Sequence, residues 1–210
     1  MSVTDVDVSR HTASARERSR EATRQRLLTS ARGLFAGKGL HQVTSHDIAR
    51  GAGVASGTFY LHFKDKEEVF REIVYDAVER LRERLQAALA AAPDTRSSVR
   101  AHAEALVAFA EEHSDLVRIV FGRDHGAARL ESDVLDYLAD VGADLLRARQ
   151  AAGSFRSSLD PRVAAQAMTG MFTRVVVWWI EDPSRAPRES IVETLIQIQL
   201  SGTYPEEPKG

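Results

Sequence analysis

Apolar residues recur three and four positions apart along most of the chain, a spacing that places them on one face of an α-helix. In the first half this pattern predicts four helices, over residues 16–36, 44–50, 55–61 and 66–92. The two short helices are separated by Gly51-Ala52-Gly53, where glycine permits a tight reversal of the backbone. The two long helices end where glycine or proline interrupts the pattern.

The second half continues in the same way, with predicted helices over residues 99–110, 116–121, 130–148, 161–181 and 187–200. Asp160 followed by Pro161 is typical of a helix start, because aspartate caps free N–H groups and proline fits the first helical position. No segment alternates apolar and polar residues in the way that predicts a strand. The pattern therefore predicts an all-α fold of about nine helices.

Charge is unevenly distributed along the chain, whose 210 residues carry a formal net charge of −2. From Arg10 to Lys66 there are eleven Lys or Arg residues and four Asp or Glu residues, a local balance of +7, which leaves −9 for the remainder. A basic N-terminal quarter on an acidic body favours a head that binds a polyanion. A solvated basic helix would give the same count.

Cysteine is absent, which excludes disulfides, thiolate metal sites and thiol nucleophiles. We expect neither a metal nor a cofactor. The first nineteen residues lack the apolar core of a signal peptide, and the most apolar run, residues 175–180, is far too short to cross a bilayer. We therefore expect a cytoplasmic protein without a membrane partner.

The two short predicted helices have the dimensions of a helix-turn-helix motif, whose second helix enters the major groove of DNA. Thr44 and Asp47 have the spacing of a capping box at the start of the first helix. Three small residues that allow close approach and three larger ones that can contact phosphates follow: Ser56, Gly57, Thr58, Tyr60, His62 and Lys66. A purely structural helical hairpin is the alternative, but it does not explain why the hairpin and the positive charge coincide.

The residues of this region match a known family. The run Val43-Thr44, Ile48-Ala49, Ala52-Gly53-Val54 and Gly57-Thr58-Phe59-Tyr60-Leu61-His62-Phe63-Lys64-Asp65-Lys66-Glu67-Glu68 resembles the DNA-binding head of TetR-family transcriptional repressors. The resemblance is close over residues 20–75, and beyond them it concerns helix count and length only. One position departs from the family's pattern: Ala55 stands where a serine is frequent, so the second helix of the motif loses one candidate cap, and Ser56 is the expected substitute.

The resemblance implies a role for each matched residue. Thr44 would cap its helix and touch a phosphate, and Ser45 and His46 would lie near base edges. Ser56, Gly57 and Thr58 would line the face toward the groove, and Tyr60, His62 and Lys66 would hold the phosphate backbone. The core of the head would consist of Ile48, Ala49, Val54, Phe59 and Phe63, packed on Leu27, Ala31 and Phe35.

The resemblance also implies that the remaining helices form a body that binds a ligand and pairs with a second copy of the chain. In that family the last two helices meet across a two-fold axis, and here they would be residues 161–181 and 187–200. The expected interface residues are Val175, Trp178, Trp179, Ile191, Leu195 and Ile198. The aromatic or titratable residues that could line an inducer pocket are Tyr75, His102, Phe109, Phe121, Tyr137 and Phe172.

The predicted domains are a flexible tail at residues 1–19, a helix-turn-helix head at 20–66, a ligand-binding and dimerisation body at 67–203 and a tail at 204–210.

The predicted function is a ligand-responsive repressor that binds a double-stranded palindromic operator as a homodimer and is released by a small apolar inducer. One alternative is a helical interaction or membrane-surface module, which would not need the spacing of Tyr60, His62 and Lys66. The other is a helical-bundle enzyme, for which no Glu-x-x-His pair, HExxH motif or phosphate-binding loop is present. We therefore do not expect an enzyme.

Overall fold

The computed structural model describes the backbone of residues 3–92, 94–121 and 128–203, and the side chains of residues 16–92, 94–121 and 130–202. Within these ranges the chain forms nine α-helices and a short 3-10 turn at Pro183–Arg185, and no strand. The helices are α1 (Val3–Lys38), α2 (Ser45–Gly51), α3 (Ser56–Phe59), α4 (Lys66–Ala90), α5 (Thr95–Glu112), α6 (Ser114–Phe121), α7 (Ala128–Ala151), α8 (Pro161–Glu181) and α9 (Arg188–Thr203). The predicted all-α fold is confirmed. The tail predicted at 204–210 lies outside the described residues.

Two compact units make up the chain, Met1–Ile73 and Val74–Gly210. We call the first the head, which holds α1, α2, α3 and the start of α4, and the second the body, which holds the rest of α4 and α5 to α9. The predicted boundary at residue 66 is the start of α4, whereas the compact head continues to Ile73. The reason is that Val69 and Phe70 are buried in the head, where the Phe70 ring lies edge-on to Phe35 at a centroid distance of 5.6 Å.

The first helix is longer than the apolar pattern predicts. It begins at Val3, and no glycine or proline precedes Gly33 to interrupt it. Among the side chains of α1 that the structure describes, from residue 16 onward, Leu27 is the first buried one, so the apolar pattern predicts only the later turns of the helix. Residues 3–19, predicted as a tail, are therefore helical in the structure, and their flexibility stays a prediction.

The core of the head uses one face of each of its helices. Seven of the eight residues predicted to form it are buried: Leu27, Ala31, Phe35, Ile48, Ala49, Phe59 and Phe63. The eighth, Val54, is half-buried because it lies in the turn between α2 and α3. Each fully buried large apolar side chain contributes about 1.5–3 kcal/mol, so this cluster holds the two short helices in place although they are too short to be stable alone.

The body is organised around α8, which packs against α5, α6, α7 and α9. Its main core lies between α5, α8 and α9 and includes Val107, Phe172 and Leu195, and a smaller cluster lies between α7 and α8 around Phe155. Helix α8 begins as predicted, since Pro161 is its first residue and the Asp160 carboxylate accepts the next two free N–H groups.

In the described part of the chain, α8 is also the one helix whose length and apolar composition would suit a membrane span. Here its apolar residues pack within the body: Phe172, Val176 and Trp179 are buried in a core shared with α5 and α9. Helix packing therefore accounts for this buried face of α8, whereas Val163 and Trp178 of the same helix remain exposed.

Candidate nucleic-acid interface

The start of α2 is held by the predicted capping box. The Asp47 N–H donates to the Thr44 hydroxyl oxygen, and the Thr44 N–H donates to the Asp47 carboxylate, each over 3.1 Å. The Thr44 hydroxyl also donates to that carboxylate, at 2.6 Å. These bonds to Thr44, together with the charges of Arg50 and Lys38, hold the pKa of Asp47 below its usual value. Both donors of Thr44 are used within the cap, so Thr44 positions α2, and its contact with a phosphate stays a prediction.

The turn between α2 and α3 requires glycine at two positions. A Cβ at Gly51 would lie 2.3 Å from the Ser30 hydroxyl oxygen, which donates to the Ile48 carbonyl over 2.9 Å. Gly53 has a φ of +67°, in the left-handed region that residues with a side chain rarely adopt. The first glycine allows α1 and α2 to approach closely, and the second allows the chain to turn into α3.

A side-chain hydrogen bond joins the first turns of α2 and α3. Nδ1 of His46 lies 2.6 Å from the Ser56 hydroxyl oxygen. His46 is exposed, while Ser56 and the neighbouring Ser45 are half-buried. The structure therefore brings together residues from both helices that were predicted to face base edges.

The third helix is shorter than predicted and covers only Ser56–Phe59. Its N-cap is Ala55, which has no side-chain cap, and Ser56 does not replace it because Ser56 is the first helical residue and its hydroxyl contacts His46. The expected substitution of Ser56 as the cap is therefore wrong. Gly57 is exposed, and a Cβ there would meet no described atom within 4 Å apart from its chain neighbours and the helix backbone, while Thr58 is half-buried. The helix thus presents a small and open surface.

Two large side chains are exposed directly after α3. Tyr60 is 64% exposed and Leu61 is 70% exposed. The Tyr60 ring packs edge-on against the buried Phe59 ring at 5.2 Å, which anchors one side of it. Leu61 was not among the predicted contact residues. The sequence does contain a signal for it: Leu61 is apolar but lies between Phe59 and Phe63, which already supply the core of the head.

His62 is partly withdrawn from the surface. Its Nδ1 is buried and accepts or donates no hydrogen bond within the described part of the chain. Burial, followed by the charges of Arg20 and Arg24, lowers the pKa of His62 below its usual value, so its ring is neutral at pH 7. A neutral imidazole carries one N–H group, so His62 can offer a phosphate a single donor.

Lys66 has a different role from the predicted one. Its ammonium donates to three backbone carbonyls, those of Leu40 at 2.9 Å, His41 at 3.2 Å and Val43 at 2.9 Å. An ammonium has three N–H groups, so all of them are used within the head. These bonds leave no N–H group of Lys66 for a phosphate in this structure, and the phosphate contact stays a prediction. The residue ties the start of α4 to the segment that leads into α2.

Two arginines of α1 add positive charge beside His62. Arg20 donates to the Leu61 carbonyl over 3.5 Å. Arg24 lies over the Phe63 ring, with its guanidinium carbon 5.1 Å from the centroid, and forms an ion pair with Glu72. In the sequence these arginines are recognisable only as positive charge, because the groups that they contact lie far along the chain.

The body contains the residues predicted to line an inducer pocket. His102 and Phe172 border one cavity, Phe109 and Phe121 border a second, and Tyr137 borders a third. The sixth candidate, Tyr75, borders none of these three cavities and is 44% exposed, and its place in a pocket stays a prediction. No group of three or more histidine, aspartate or glutamate side chains in the described part of the chain could hold a metal ion.

The six predicted interface residues divide into two groups. Trp179, Ile191 and Leu195 are buried in the core of their own body, so they are core residues and their assignment to an interface is wrong. The Trp179 indole N–H donates to the Ala186 carbonyl over 2.9 Å, which explains how the ring is accommodated there. The other three are accessible: Val175 is half-buried, and Trp178 and Ile198 are 37% and 52% exposed.

Comparisons with known proteins agree on one family. The family described as "Bacterial regulatory proteins, tetR family" matches residues 27–73. The HTH-type transcriptional regulator YdgC of Bacillus subtilis (strain 168) is 28% identical over 192 residues, which cover 88% of this chain and 94% of YdgC. The HTH-type transcriptional repressor KstR2 of Rhodococcus jostii (strain RHA1) is also 28% identical over 192 residues, which cover 85% of this chain and 90% of KstR2. Among solved structures, the fatty acid degradation regulator FadR from Bacillus halodurans matches with a TM-score of 0.74 at 25% identity, over 85% of this chain and 95% of that one.

These similarities agree with the features found in the head. The matched segment, residues 27–73, contains the capping box, the glycine turn and the exposed residues that follow α3. The similarity to YdgC, KstR2 and FadR continues through most of the body. The family match in the head and the similarity to these regulators along most of the chain together support a TetR-family transcriptional regulator.

Proposed function

We propose that this regulator is a repressor that binds a palindromic operator as a homodimer and is released by a small apolar inducer held in its body. The observation that carries the proposal is the joined start of α2 and α3, where His46 and Ser56 share a hydrogen bond on a basic head. Polar groups of this kind read base edges, while hydroxyls such as that of Tyr60 fix the register on phosphates. KstR2 is named a repressor, which supports repression. The named relatives are regulators, which supports a DNA-binding role in the cytoplasm and no enzymatic one.

The operator can be found by sequencing the genomic fragments that the purified chain retains. Because two heads related by a two-fold axis read two half-sites, the fragments should share a palindrome with half-sites about 34 Å apart or a multiple of that distance. Equal retention of fragments that share no palindrome would contradict the proposal.

The role of Tyr60 can be tested separately with Tyr60→Phe, which removes only the hydroxyl. We expect operator and non-operator DNA to lose affinity alike, by about 2- to 10-fold, as for the loss of one hydrogen bond. Tyr137→Phe, in the body, is the matched control and should leave DNA binding unchanged. A changed base preference in Tyr60→Phe would show that Tyr60 reads bases instead of phosphates.

The homodimer is supported by the outward surface of α8 and α9. Trp178 and Val163 of α8 and Ile198 of α9 are exposed although they are large and apolar. Ala167 and Gly170 are exposed on α8 as well, and small residues allow a second helix to approach closely. An exposed apolar surface of this kind marks a protein–protein interface.

The substitution Trp178→Glu tests this interface. A charge placed there should convert a wild-type dimer into monomers in sedimentation experiments, and the operator affinity should fall because one head reads only one half-site. Helical content should stay unchanged, since Trp178 lies outside the body's core. Tyr75→Glu is the matched control, because Tyr75 is similarly exposed but lies on α4. A wild-type monomer at micromolar concentration would refute the interface.

The inducer is supported by the cavities of the body, which are lined mostly by apolar side chains. FadR is named a fatty acid degradation regulator, which agrees with an apolar inducer. A true inducer must weaken operator binding by the same factor by which the operator weakens inducer binding, typically about 5- to 150-fold. Titrating a compound with and without operator measures that factor. A compound that binds equally well in both cases is not the inducer.

A further inference from the structure

Helix α1 carries a row of arginines along one side. Arg16, Arg20 and Arg24 are four residues apart, so they share one face of the helix and follow one another at about 6 Å along its axis. We call these three residues the arginine stripe. Arg16 and Arg20 are exposed, and the first buried side chain described in α1 is that of Leu27. The core of the head therefore does not account for the first two members of the stripe.

The stripe lies beside the segment that follows α3. Arg24 lies over the buried Phe63 ring, with its guanidinium carbon 5.1 Å from the centroid. Arg20, one turn earlier in α1, donates to the Leu61 carbonyl over 3.5 Å. Arg16 lies one further turn along α1 in the direction that leads from Arg24 to Arg20. The stripe thus extends outward from the residues that come directly after α3.

The three arginines differ in how far the head already uses their charge. Arg24 forms an ion pair with Glu72, so its charge is balanced within the head. The bond from Arg20 to the Leu61 carbonyl uses one of the five N–H groups of the guanidinium. Arg16 forms no hydrogen bond or ion pair within the described part of the chain. The outer two members therefore keep their charge and most of their donors for a ligand.

The acidic residues of this part of α1 do not lie on the stripe. Glu17 and Glu21 each follow an arginine of the stripe by one position, which places them about 100° away around the helix. The Glu21 carboxylate accepts a hydrogen bond from the Gln25 amide at 2.8 Å. From Arg16 to Arg26 there are five arginines and two glutamates, a balance of +3. This charge favours a polyanionic ligand.

The position of the stripe fits a DNA duplex held by α2 and α3. Tyr60, whose side chain is 64% exposed, directly precedes Leu61, so its proposed phosphate contact lies next to the carbonyl that Arg20 contacts. One DNA strand carries a phosphate for about every 3.4 Å of helix axis, so two guanidinium groups about 6 Å apart can each reach a phosphate of the same strand. The planar guanidinium also matches the geometry of phosphate oxygens.

We propose that Arg16 and Arg20 bind neighbouring backbone phosphates of the operator strand that Tyr60 contacts. Helix α1 then adds a contact that does not depend on sequence to the contacts of α2 and α3. The inference rests on the proposed function and assigns α1 a part in it. Because phosphates carry no sequence information, the stripe strengthens binding to the operator and to other duplex DNA alike.

The salt dependence of DNA binding tests the stripe. Fluorescence anisotropy is measured with a duplex that carries the retained genomic palindrome and with a duplex of unrelated sequence. Arg16→Gln and Arg20→Gln should each reduce the slope of log affinity against log salt by about one unit per head. Both duplexes should lose affinity together, by about 5-fold per lost contact near physiological salt.

Arg18→Gln is the matched control for these variants. Arg18 is also exposed but lies on nearly the opposite side of the same turn of α1, so its substitution removes an equal charge away from the stripe. Glutamine and arginine have similar helix propensities, so helical content in circular dichroism should stay unchanged in all three variants. Arg18→Gln should reduce the slope much less than the other two. An equal reduction would indicate a diffuse effect of net charge and would overturn the stripe.

Neutral phosphates in the operator locate the contact. A methylphosphonate removes the charge of one phosphate, and such substitutions can be scanned along both strands. At two neighbouring positions the wild-type chain should lose affinity while the double variant Arg16→Gln, Arg20→Gln should not, as expected for a coupled pair in a double-mutant cycle. Positions contacted by Tyr60 should stay sensitive in the double variant. Additive losses at every position would contradict the assignment.

The outcomes also separate this inference from the proposed function. A wild-type chain that retains no palindrome would refute the proposed function, and the role of the stripe with it. A wild-type chain that binds its palindrome with a salt slope that the double variant leaves unchanged would refute the stripe alone. Binding to phosphatidylglycerol vesicles that is lost in the double variant, while the DNA slope stays unchanged, would assign the arginines to a membrane surface and overturn the proposal.

Discussion

Replacing Lys66 with methionine should destabilise the head without removing a phosphate contact. Methionine keeps most of the side-chain length but removes the ammonium that donates to the carbonyls of Leu40, His41 and Val43. A hydrogen bond to a charged group contributes about 1.5–3 kcal/mol, and part of the gain from three such bonds is offset by withdrawing the ammonium from water, so the free energy of unfolding should fall by about 2–4 kcal/mol. Urea unfolding followed by circular dichroism measures this change. Backbone amides near residues 40–43 should also exchange hydrogen faster, because that segment loses its anchor.

Lys64→Met is the matched control for this experiment. Lys64 is exposed, and within the described part of the chain its side chain forms no hydrogen bond or ion pair. Its substitution should change the free energy of unfolding by less than about 0.5 kcal/mol. A phosphate contact by Lys66 predicts the opposite pattern for Lys66→Met: unchanged stability and a salt dependence of DNA binding that is reduced by about one unit. That pattern would refute the assignment of Lys66 to the carbonyls.

Two further predictions concern Gly51 and His102. Gly51→Ala should lower the free energy of unfolding by about 1–3 kcal/mol, because its Cβ would lie 2.3 Å from the Ser30 hydroxyl oxygen. Adding Ser30→Ala should recover part of this loss in a double-mutant cycle, and strictly additive effects would contradict the clash. Burial and Arg149 lower the pKa of His102 from 6.5 to about 4 in the folded body. Between pH 6.5 and pH 4 the unfolded chain therefore protonates His102 more readily than the folded chain does, so the free energy of unfolding decreases as the pH falls through this range. From pH 7 to pH 5 this group should remove up to about 2 kcal/mol, which urea unfolding of the wild type and of His102→Leu should show as a difference; parallel pH profiles would contradict it.

The local features of the head follow from residues that lie close together in the sequence. Thr44 and Asp47 form the predicted capping box because both partners belong to one helix turn. Gly53 adopts the positive φ that the predicted turn needs, since no distant residue competes for that conformation. Asp160 and Pro161 begin α8 for the same reason.

The structure departs from the sequence pattern where a residue has a distant partner or where the pattern does not say which side of a helix faces the core. Lys66 finds its acceptors in residues 40–43, far along the chain, although one signal was present: a lysine in the first turn of a helix is unfavourable beside the helix dipole and needs compensation. Trp178 and Trp179 are adjacent in an apolar run, and a helical period places them about 100° apart without indicating which of them faces α5 and α9. The structure buries Trp179 and exposes Trp178.

Because His46 and Ser56 share a hydrogen bond, the donor or acceptor role of one side chain fixes the role of the other. A neutral imidazole has one donor and one acceptor nitrogen, and a hydroxyl gives away a single proton. If Nδ1 accepts from Ser56, the far nitrogen of His46 is a donor and the remaining sites on the Ser56 oxygen are acceptors. If Nδ1 donates, both ends reverse, so that His46 offers an acceptor and Ser56 a donor. A shift of the imidazole tautomer therefore exchanges donor and acceptor on both side chains at once. If both side chains contact bases, the base preferences that depend on His46 and on Ser56 should change together. Replacing either residue alone should remove this link between the two preferences.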